Sequence, residues 1–418
     1  MIMHSSSIAK VWESVSKYGL RAGLENAAAR WARGKLSAPY DVPGDYAWIL
    51  TKDEPARLPP PDGGPLKINW LLPSISQNGG GELNIFRAIH YLEQWGHKNR
   101  VYVLDCVSAN GADARARVRK HYFPIESSIE LFAGDVADSD ALVATNWVTA
   151  YAVRGLGNTA RKFYFVQDLE NRFYAAGSLA AFAEETYRWG FHGITLGKWI
   201  AQELRGEFSM PCSSFGFSYD RSIYSAQGPR SFSDGRKRVL YYARPSSERR
   251  GFELGVLALL QVARRSPGTE FVLVGFSGRG HIPFPAILPG ILPPSELSAL
   301  YRSCSAALVL SHTNLSMLPL ELMACGCPVV SNTGPNVEWL LTQEVSQLAQ
   351  PTPDALAQDV LELLNDNQLR AEKVEKGLSF AQQTDWVREI KEIESAFYDG
   401  MKLTTCAPTG ALVSPGVS

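Results

Sequence analysis

Residues 66–106 read LKINWLLPSISQNGGGELNIFRAIHYLEQWGHKNRVYVLDC, and this stretch predicts the fold. A short apolar strand at 66–73 runs into three glycines at 79–81. An amphipathic helix follows at 83–99, and a second apolar strand covers 100–106. Two strands joined by a glycine loop and a helix are typical of a parallel sheet with helices packed on its faces.

The same scheme recurs along the chain. Further strands are predicted at 140–147, 161–170 and 192–197, and residues 207–237 then have the composition of a connecting loop. A second series begins with a strand at 238–244 and continues with strands at 270–276 and 306–311. A helix at 294–304 has Ser295 as its expected N-cap. The fold class predicted is α/β, with two tandem Rossmann-like, doubly wound domains and an N-terminal helical extension.

The domain limits follow from composition. Residues 1–64 form the extension and a Pro/Gly-rich linker, 65–235 the first domain and 236–400 the second. Residues 401–418 are rich in Gly, Pro, Ser and Thr, which is typical of a flexible tail. Ligands of doubly wound sheets bind beyond the carboxyl ends of the strands, so two such domains predict a cleft between them.

Composition excludes several classes of protein. The 418 residues are 45% apolar and 20% charged with a net charge of −1, which is globular and gives no global basic field for nucleic acid. The six cysteines are scattered without zinc or redox spacing, so reduced thiols in a cytoplasmic protein are expected. No apolar run is long enough for a membrane span, and the N-terminus lacks a secretory apolar region.

Residues 1–35 are basic, with apolar residues at roughly helical spacing. A helix of this kind can make peripheral contact with an anionic membrane, which would place the protein at the inner face of the membrane. The alternative, which we favour, is a helix packed on the main body or a mobile extension.

Polar residues follow several strands of the first domain. Gly79, Gly80 and Gly81 lie between a strand and a helix, where they permit either close approach of an anion or merely a tight turn. Gln167, Asp168 and Glu170 come just after another strand. A carboxylate there can act as a general base or bind sugar hydroxyls. Ordinary strand-end polarity explains these residues as well, and is favoured when they are taken alone.

The second domain carries a basic cluster. Arg244 ends a strand, and Arg249 with Arg250 begins a helix. Guanidinium groups at the carboxyl edge of a sheet suit a diphosphate and would stabilise it as a leaving group.

The segment HTNLSMLPLELMACGCPVV, residues 312–330, places a glutamate among leucines. Pro319 suits the first turn of a helix and Glu321 lies within that turn, where a carboxylate is favoured by the helix dipole. Ribose hydroxyls would supply the donors that a carboxylate needs when buried. Backbone amides of Asn314, Leu315, Ser316 and Met317 could receive phosphate oxygens.

Two other motifs carry less weight. Asp138-Ser139-Asp140 has the Asp-x-Asp spacing of a metal site but lies in an isolated polar stretch, so no metal is expected there. GFSGRG at 275–280 misses the dinucleotide spacing and precedes a proline-rich stretch, so a surface loop is predicted.

Together these residues resemble a GT-B glycosyltransferase. LPLELMACGCPVVSNTGPNVEWL at 318–340 resembles the donor-binding segment of the glycosyltransferases related to glycogen and sucrose synthases. The resemblance implies that Glu321 binds the nucleotide ribose and that the preceding loop cradles the diphosphate. ARPSSERRG at 243–251 resembles the same family's phosphate element, with Arg244 at the arginine position and Arg249 or Arg250 at the lysine position.

A narrower resemblance is to WsaF-like rhamnosyltransferases of bacterial surface glycans. The segments at 79–97, 164–178 and 241–255 support it. It implies a dTDP-β-L-rhamnose donor and a glycan or lipid-linked glycan acceptor, placed near the glycine loop, Gln167 and Tyr174. The family's usual second glutamate, eight residues before Glu321, is replaced by Thr313, and Glu82 stands where relatives often carry histidine.

The sequence therefore predicts a cytoplasmic, metal-independent glycosyltransferase that needs no cofactor beyond its nucleotide-sugar donor. If the reaction inverts the anomeric centre, Asp168, Glu170 and Glu82 are the candidate bases. Transfer of a hexose from a UDP- or GDP-sugar is the alternative within this class. A sugar-nucleotide epimerase and a non-catalytic module that binds glycan or nucleotide are the alternatives outside it.

Overall fold

The computed structural model describes residues 42–76, 79–105, 111–276 and 281–402, without the side chains of 111–113. Two units are distinguished, one ending at Thr51 and one beginning at Lys52. In the first, helix α1 (Val42–Tyr46) continues into a 3-10 turn (Ala47–Leu50). The basic segment 1–35 and the tail 403–418 lie outside the described residues, as do residues 277–280 of the GFSGRG motif.

The second unit contains two parallel sheets. The first has the strand order β3-β2-β1-β4-β5-β6-β7, and the second has β10-β9-β8-β11-β12-β13. Each therefore reverses its order beside its first strand, between β1 and β4 and between β8 and β11, as in a doubly wound fold. The strands are β1 (Lys67–Leu72), β2 (Lys98–Val103), β3 (Ser128–Leu131), β4 (Ser139–Ala144), β5 (Thr159–Val166), β6 (His192–Leu196), β7 (Cys212–Phe215), β8 (Arg238–Tyr242), β9 (Glu270–Val274), β10 (Ala286–Gly290), β11 (Ala306–Leu308), β12 (Val329–Asn332) and β13 (Gln347–Ala349).

Helices connect these strands. Helix α2 follows the glycine loop and buries Ile85, Phe86, Ile89 and Leu92, whose spacing places them on one face. The helices are α2 (Gly80–Gln94), α3 (Gly111–His121), α4 (Trp147–Arg154), α5 (Ser178–Glu185), α6 (Lys198–Phe208), α7 (Phe252–Arg265), α8 (Pro294–Tyr301), α9 (Leu318–Ala324), α10 (Pro335–Glu338), α11 (Pro353–Asn365), α12 (Asn367–Gln382) and α13 (Trp386–Lys402).

The predicted fold class is confirmed, two local predictions are wrong, and one strand was not predicted. Helix α8 begins at Pro294 with Pro293 as its N-cap, so Ser295 is already inside the helix. Strand β10 was not predicted. It pairs with β9 although it contains a proline, which an edge strand tolerates because one side of it makes no ladder bonds. Strand β7 lies within the stretch interpreted as a loop, where CSSF lacks the apolar run that usually marks a buried strand.

The last helix packs on the first sheet. Helix α13 contacts β5, β6, β7 and α2, although the chain before it belongs to the second sheet. Its Phe397 is fully buried and makes edge contacts with Trp70 and Phe163, at 5.9 and 5.0 Å between ring centroids. Because such a contact crosses from one end of the chain to the other, α13 ties the two halves of the unit together.

Candidate active site between the two sheets

The carboxyl ends of the two sheets meet at Asp168. This residue follows β5, and its carboxylate accepts two hydrogen bonds from the loop 311–317 that follows β11. The hydroxyl of Thr313 donates to Oδ2 at 2.8 Å, and the backbone N–H of Asn314 donates to Oδ1 at 2.9 Å. Burial raises the pKa of Asp168, which the nearby Arg250 and these hydrogen bonds oppose.

Asn314 joins the domains more extensively. Its side chain is fully buried, and Nδ2 donates to the backbone carbonyls of Gln167 (3.0 Å) and Leu196 (2.8 Å) at the ends of β5 and β6. Its Oδ1 accepts the indole N–H of Trp339 at 2.8 Å. The side chain of Asn314 therefore binds the strand ends of the first domain. Its backbone N–H, predicted to receive a phosphate oxygen, donates instead to Asp168, and its backbone carbonyl accepts from Arg250 and Ser311.

The three arginines have different environments. The Nη1 atom of Arg250 donates to Ser311 Oγ at 2.8 Å and to the Asn314 carbonyl at 3.0 Å. These two hydrogen bonds hold the loop 311–317 in place. Arg249 lies 3.6 Å from Asp168 Oδ2, with its guanidinium 4.2 Å from the centre of the Phe173 ring. Arg244 is exposed and donates to the hydroxyl of Tyr242 at 3.0 Å. Arg249 and Arg250 thus concentrate positive charge where the sheets meet.

Glu321 lies in the first turn of α9, as predicted, and is half-buried. Burial raises its pKa to about 7, although a hydrogen bond from Tyr224 and the charge of Arg87 act in the opposite direction. The pKa of a catalytic or binding carboxylate is often perturbed in this way, since such groups are removed from water. Within the same loop Leu315 is buried, whereas Ser316 and Met317 are half-buried.

The other candidate carboxylates are held by the first domain. Glu170 accepts hydrogen bonds from the Tyr164 hydroxyl at 2.7 Å and from the backbone N–H of Trp147, and burial raises its pKa to about 7. Glu82 accepts a hydrogen bond from the Ser76 hydroxyl at 2.7 Å, at the start of α2. Of the three candidate bases, only Asp168 contacts the second domain through hydrogen bonds among the described residues.

The glycine loop lies next to this centre. The side-chain amide of Gln167 donates to the Gly81 carbonyl at 3.0 Å and accepts from Asn84 Nδ2 at 2.9 Å. A Cβ added at Gly81 would come within 3.2 Å of Gln167 Nε2, so a glycine suits this close approach. The backbone N–H of Gly79, which precedes Gly80 at the first position of α2, donates to Tyr122 Oη at 2.9 Å.

The hydroxyl of Tyr174, which was predicted to lie near the acceptor, accepts the indole N–H of Trp147 at 3.1 Å. The structure therefore brings together the glycine loop, the residues after β5, two of the arginines and the loop 311–317.

The sequence analysis did not predict a role for Arg87, Tyr224 and Trp339. Arg87 had a signal in principle, because it is a charged residue inside the apolar run NIFRAI.

The Asp-x-Asp motif lies elsewhere. Asp140 stands at the amino end of β4, where its carboxylate accepts the backbone N–H of Lys67 at 2.7 Å. The described residues contain no group of three or more His, Cys, Asp or Glu side chains that could hold a metal ion. Within the same residues, no helix is long and apolar enough to cross a membrane. Independence from metals stays a prediction.

This architecture is the GT-B fold. Several solved structures share it. HepE of Anabaena in complex with UDP-glucose has 16% identity and a TM-score of 0.61, over 80% of this chain and all of that one. Sucrose-phosphate synthase of Thermosynechococcus elongatus has 13% identity and a TM-score of 0.61, over 81% and 100%. WaaG, a glycosyltransferase of lipopolysaccharide biosynthesis, has 16% identity and a TM-score of 0.56, over 79% and 98%.

Comparison of sequences identifies a narrower group of relatives than the shared fold does. Residues 237–361 match the family described as WsaF, C-terminal domain. The O-antigen biosynthesis protein RfbC of Myxococcus xanthus is 32% identical over 340 residues, which are 78% of this chain. The chain spans about a quarter of that relative's length, 26%. The chain is thus WsaF-like with a GT-B fold, and the resemblance drawn from its sequence is confirmed.

Proposed function

We propose that this chain is a glycosyltransferase that moves a sugar from a nucleotide donor to a glycan acceptor in the synthesis of a surface polysaccharide. The observation that carries the proposal is the meeting of Asp168 with the loop 311–317 between two sheet edges. A carboxylate on one domain there faces the guanidinium groups of Arg249 and Arg250 on the other. The WsaF match and the O-antigen relative support the same class of reaction.

The finer proposal is L-rhamnose transfer from dTDP-β-L-rhamnose, which rests on the WsaF-like resemblance. HepE, whose structure contains UDP-glucose, supports hexose transfer from a UDP-sugar as the second candidate. For either donor we assign Glu321 to the ribose and Arg249 to the diphosphate. Arg244 lies at the exposed end of the same sheet edge and would meet the far side of the nucleotide.

The chemistry requires one proton transfer and one leaving group. We assign Asp168 as the base that takes the proton of the acceptor hydroxyl, because it lies at the junction of the two domains. The acceptor oxygen attacks the anomeric carbon, and the bond from that carbon to the phosphate oxygen breaks. The nucleoside diphosphate leaves with the electron pair, and positive charge held in place stabilises the developing negative charge.

A donor-turnover assay tests this function. Purified protein is given dTDP-β-L-rhamnose, UDP-glucose or a GDP-hexose, with and without a surface-glycan acceptor, and release of nucleoside diphosphate is measured. Release that depends on acceptor supports transfer. Conversion of the donor sugar without an acceptor would indicate an epimerase, and binding without turnover would indicate a binding module; either outcome contradicts the proposal.

Glu321 gives a sharper test of the donor site. A ribonucleotide offers two ribose hydroxyls to the carboxylate, whereas a thymidine nucleotide offers one, and a hydrogen bond to a charged group contributes about 1.5–3 kcal/mol. We expect Glu321→Gln to weaken UDP-glucose binding more than dTDP-rhamnose binding, with the fold unchanged by circular dichroism. Equal affinity of the variant and the wild type for both donors would refute the assignment.

A further inference from the structure

Arg87 carries a buried charge from the first domain to the candidate donor site. It lies on α2 and is only 4% exposed. Its guanidinium lies 3.9 Å from the centre of the Trp386 ring and 5.2 Å from that of Phe123, and Nη1 is 3.9 Å from Met317 Sδ. Because Met317 immediately precedes α9, Arg87 reaches the helix that carries Glu321.

Tyr224 reaches the same carboxylate from the connection between the domains. Its ring is buried and stacks on that of Tyr301, with the centroids 6.0 Å apart and the planes at 13°. Its hydroxyl lies near the carboxylate of Glu321 and favours the ionised form of that carboxylate. Burial raises the pKa of both tyrosines above the ordinary value, so the Tyr224 hydroxyl keeps its proton and is neutral. Stacking on Tyr301 fixes the position of its ring.

The groups facing Glu321 oppose one another. Burial and the charge of Asp220 disfavour its ionisation, whereas Tyr224 and Arg87 favour it. Two further titratable groups lie nearby and interact with it, Tyr301 on α8 and Cys325 after α9. Burial raises the pKa of the Cys325 thiol too, so this thiol stays neutral. The charged groups that act on Glu321 are therefore the cation Arg87 and the anion Asp220.

We propose that Arg87 and Tyr224 are positioning residues that keep Glu321 ionised and oriented to accept the ribose hydroxyls of the donor. An ionised carboxylate accepts on both oxygens, whereas a protonated one must use one oxygen as a donor. The inference rests on the proposed function and deepens it, because it makes donor binding by the second domain depend on a charge supplied by the first.

The test measures how donor affinity depends on pH. The probes are UDP-glucose and dTDP-β-L-rhamnose without acceptor, because the diphosphate of a nucleotide sugar has no ionisation near neutral pH. Dissociation constants of wild type, Tyr224→Phe and Arg87→Met are measured between pH 5.5 and 9 by calorimetry. In the wild type, affinity should rise as the pH passes through the ionisation of Glu321 near 7.

Both variants should move that midpoint upward. If each interaction lowers the pKa of Glu321 by about one unit, the ionised fraction at pH 7 falls from about one half to about one tenth. Affinity at pH 7 then falls about fivefold and recovers by pH 9. Arg87→Lys keeps the charge and should stay near the wild-type midpoint, and Tyr301→Phe removes the hydroxyl from the other ring of the stack as a matched control.

The outcomes separate the inference from the function on which it rests. The inference is overturned if donor affinity of the wild type changes near pH 7 and the midpoints of Tyr224→Phe and Arg87→Met are the same as that of the wild type. The assignment of the donor site would then still hold. A wild type and a Glu321→Gln variant that bind alike at every pH would overturn both. If Arg87→Met does not fold, Tyr224→Phe alone decides, because it removes a single oxygen atom.

Discussion

Replacing Asn314 by alanine should weaken the contact between the two sheets measurably. The wild-type side chain is fully buried and donates to the carbonyls of Gln167 and Leu196 at 3.0 and 2.8 Å. It also accepts the indole N–H of Trp339 at 2.8 Å and the backbone N–H of Leu315 at 3.1 Å. Alanine keeps none of these four hydrogen bonds.

The magnitude follows from the groups left behind. A buried polar group that loses its partner costs about 1–3 kcal/mol. The indole N–H of Trp339 loses the acceptor that it has in the structure, so it should cost an amount near the middle of that range. The two carbonyl oxygens can be relieved in part by water, so we expect a loss of about 4 kcal/mol in the free energy of unfolding for Asn314→Ala. That is a large share of the roughly 5–15 kcal/mol that stabilises a folded domain.

The assay is urea unfolding followed by tryptophan fluorescence and circular dichroism together. Asn365→Ala is the matched control, because Asn365 is exposed and accepts a hydrogen bond from Lys237 at 3.1 Å. An exposed pair of this kind should contribute less than about 1 kcal/mol. A loss in Asn314→Ala no larger than that in the control would refute the reasoning, since the four hydrogen bonds of the buried Asn314 side chain would then contribute nothing.

Two further predictions concern buried titratable groups. Burial raises the pKa of Glu170 from 4.5 to about 7 in the folded protein. Between these pH values the folded state binds a proton that the unfolded chain has lost, so the free energy of unfolding should fall as the pH rises from about 4.5 to 7. Glu170→Gln should flatten that part of the urea-midpoint profile by up to about 3 kcal/mol, and identical wild-type and variant profiles would contradict this. Buried thiols with raised pKa should react slowly with a thiol reagent in the folded protein and quickly in urea, as read residue by residue by mass spectrometry; rapid native labelling would contradict their burial. The cysteines concerned are Cys212, Cys304, Cys325 and Cys327.

The fold was predictable because it repeats. A strand, loop and helix scheme appears twice in the sequence, and parallel strands buried on both faces have apolar runs such as WLL and VLYY. Strands β7 and β10 were not predicted because neither has such an apolar run. Their place depends on pairing with β6 and β9, which is a tertiary contact and leaves no local pattern.

The site was predictable only to the level of its loops. Polar residues after β5 and before α9 had to lie at the same kind of sheet edge, but spacing could not say which of them would touch. Asn314 shows the difference: its amide suits a phosphate as well as a carbonyl, and only the approach of β5 and β6 gives it carbonyl partners. Arg87 was hidden for the same reason, since the rings that cover it come from residues 123 and 386.

Asp168 has two roles in this scheme, and its geometry makes them separable. As a contact between domains it accepts from Thr313 and Asn314, and as a base it must take a proton from the acceptor. Asp168→Asn keeps an oxygen for the Asn314 N–H, and the Thr313 hydroxyl can turn to accept from the new amide, so both hydrogen bonds survive and only the charge beside Arg249 and Arg250 is lost. Its loss of stability should therefore be smaller than that of Asp168→Ala. The amide cannot act as a base, so turnover should fall by about 10²–10⁴ at unchanged donor affinity. Asp168→Ala should lose both turnover and stability. If Asp168→Asn kept near-wild-type turnover, Asp168 would serve the domain contact alone, and the base would have to be sought at Glu170 or Glu82.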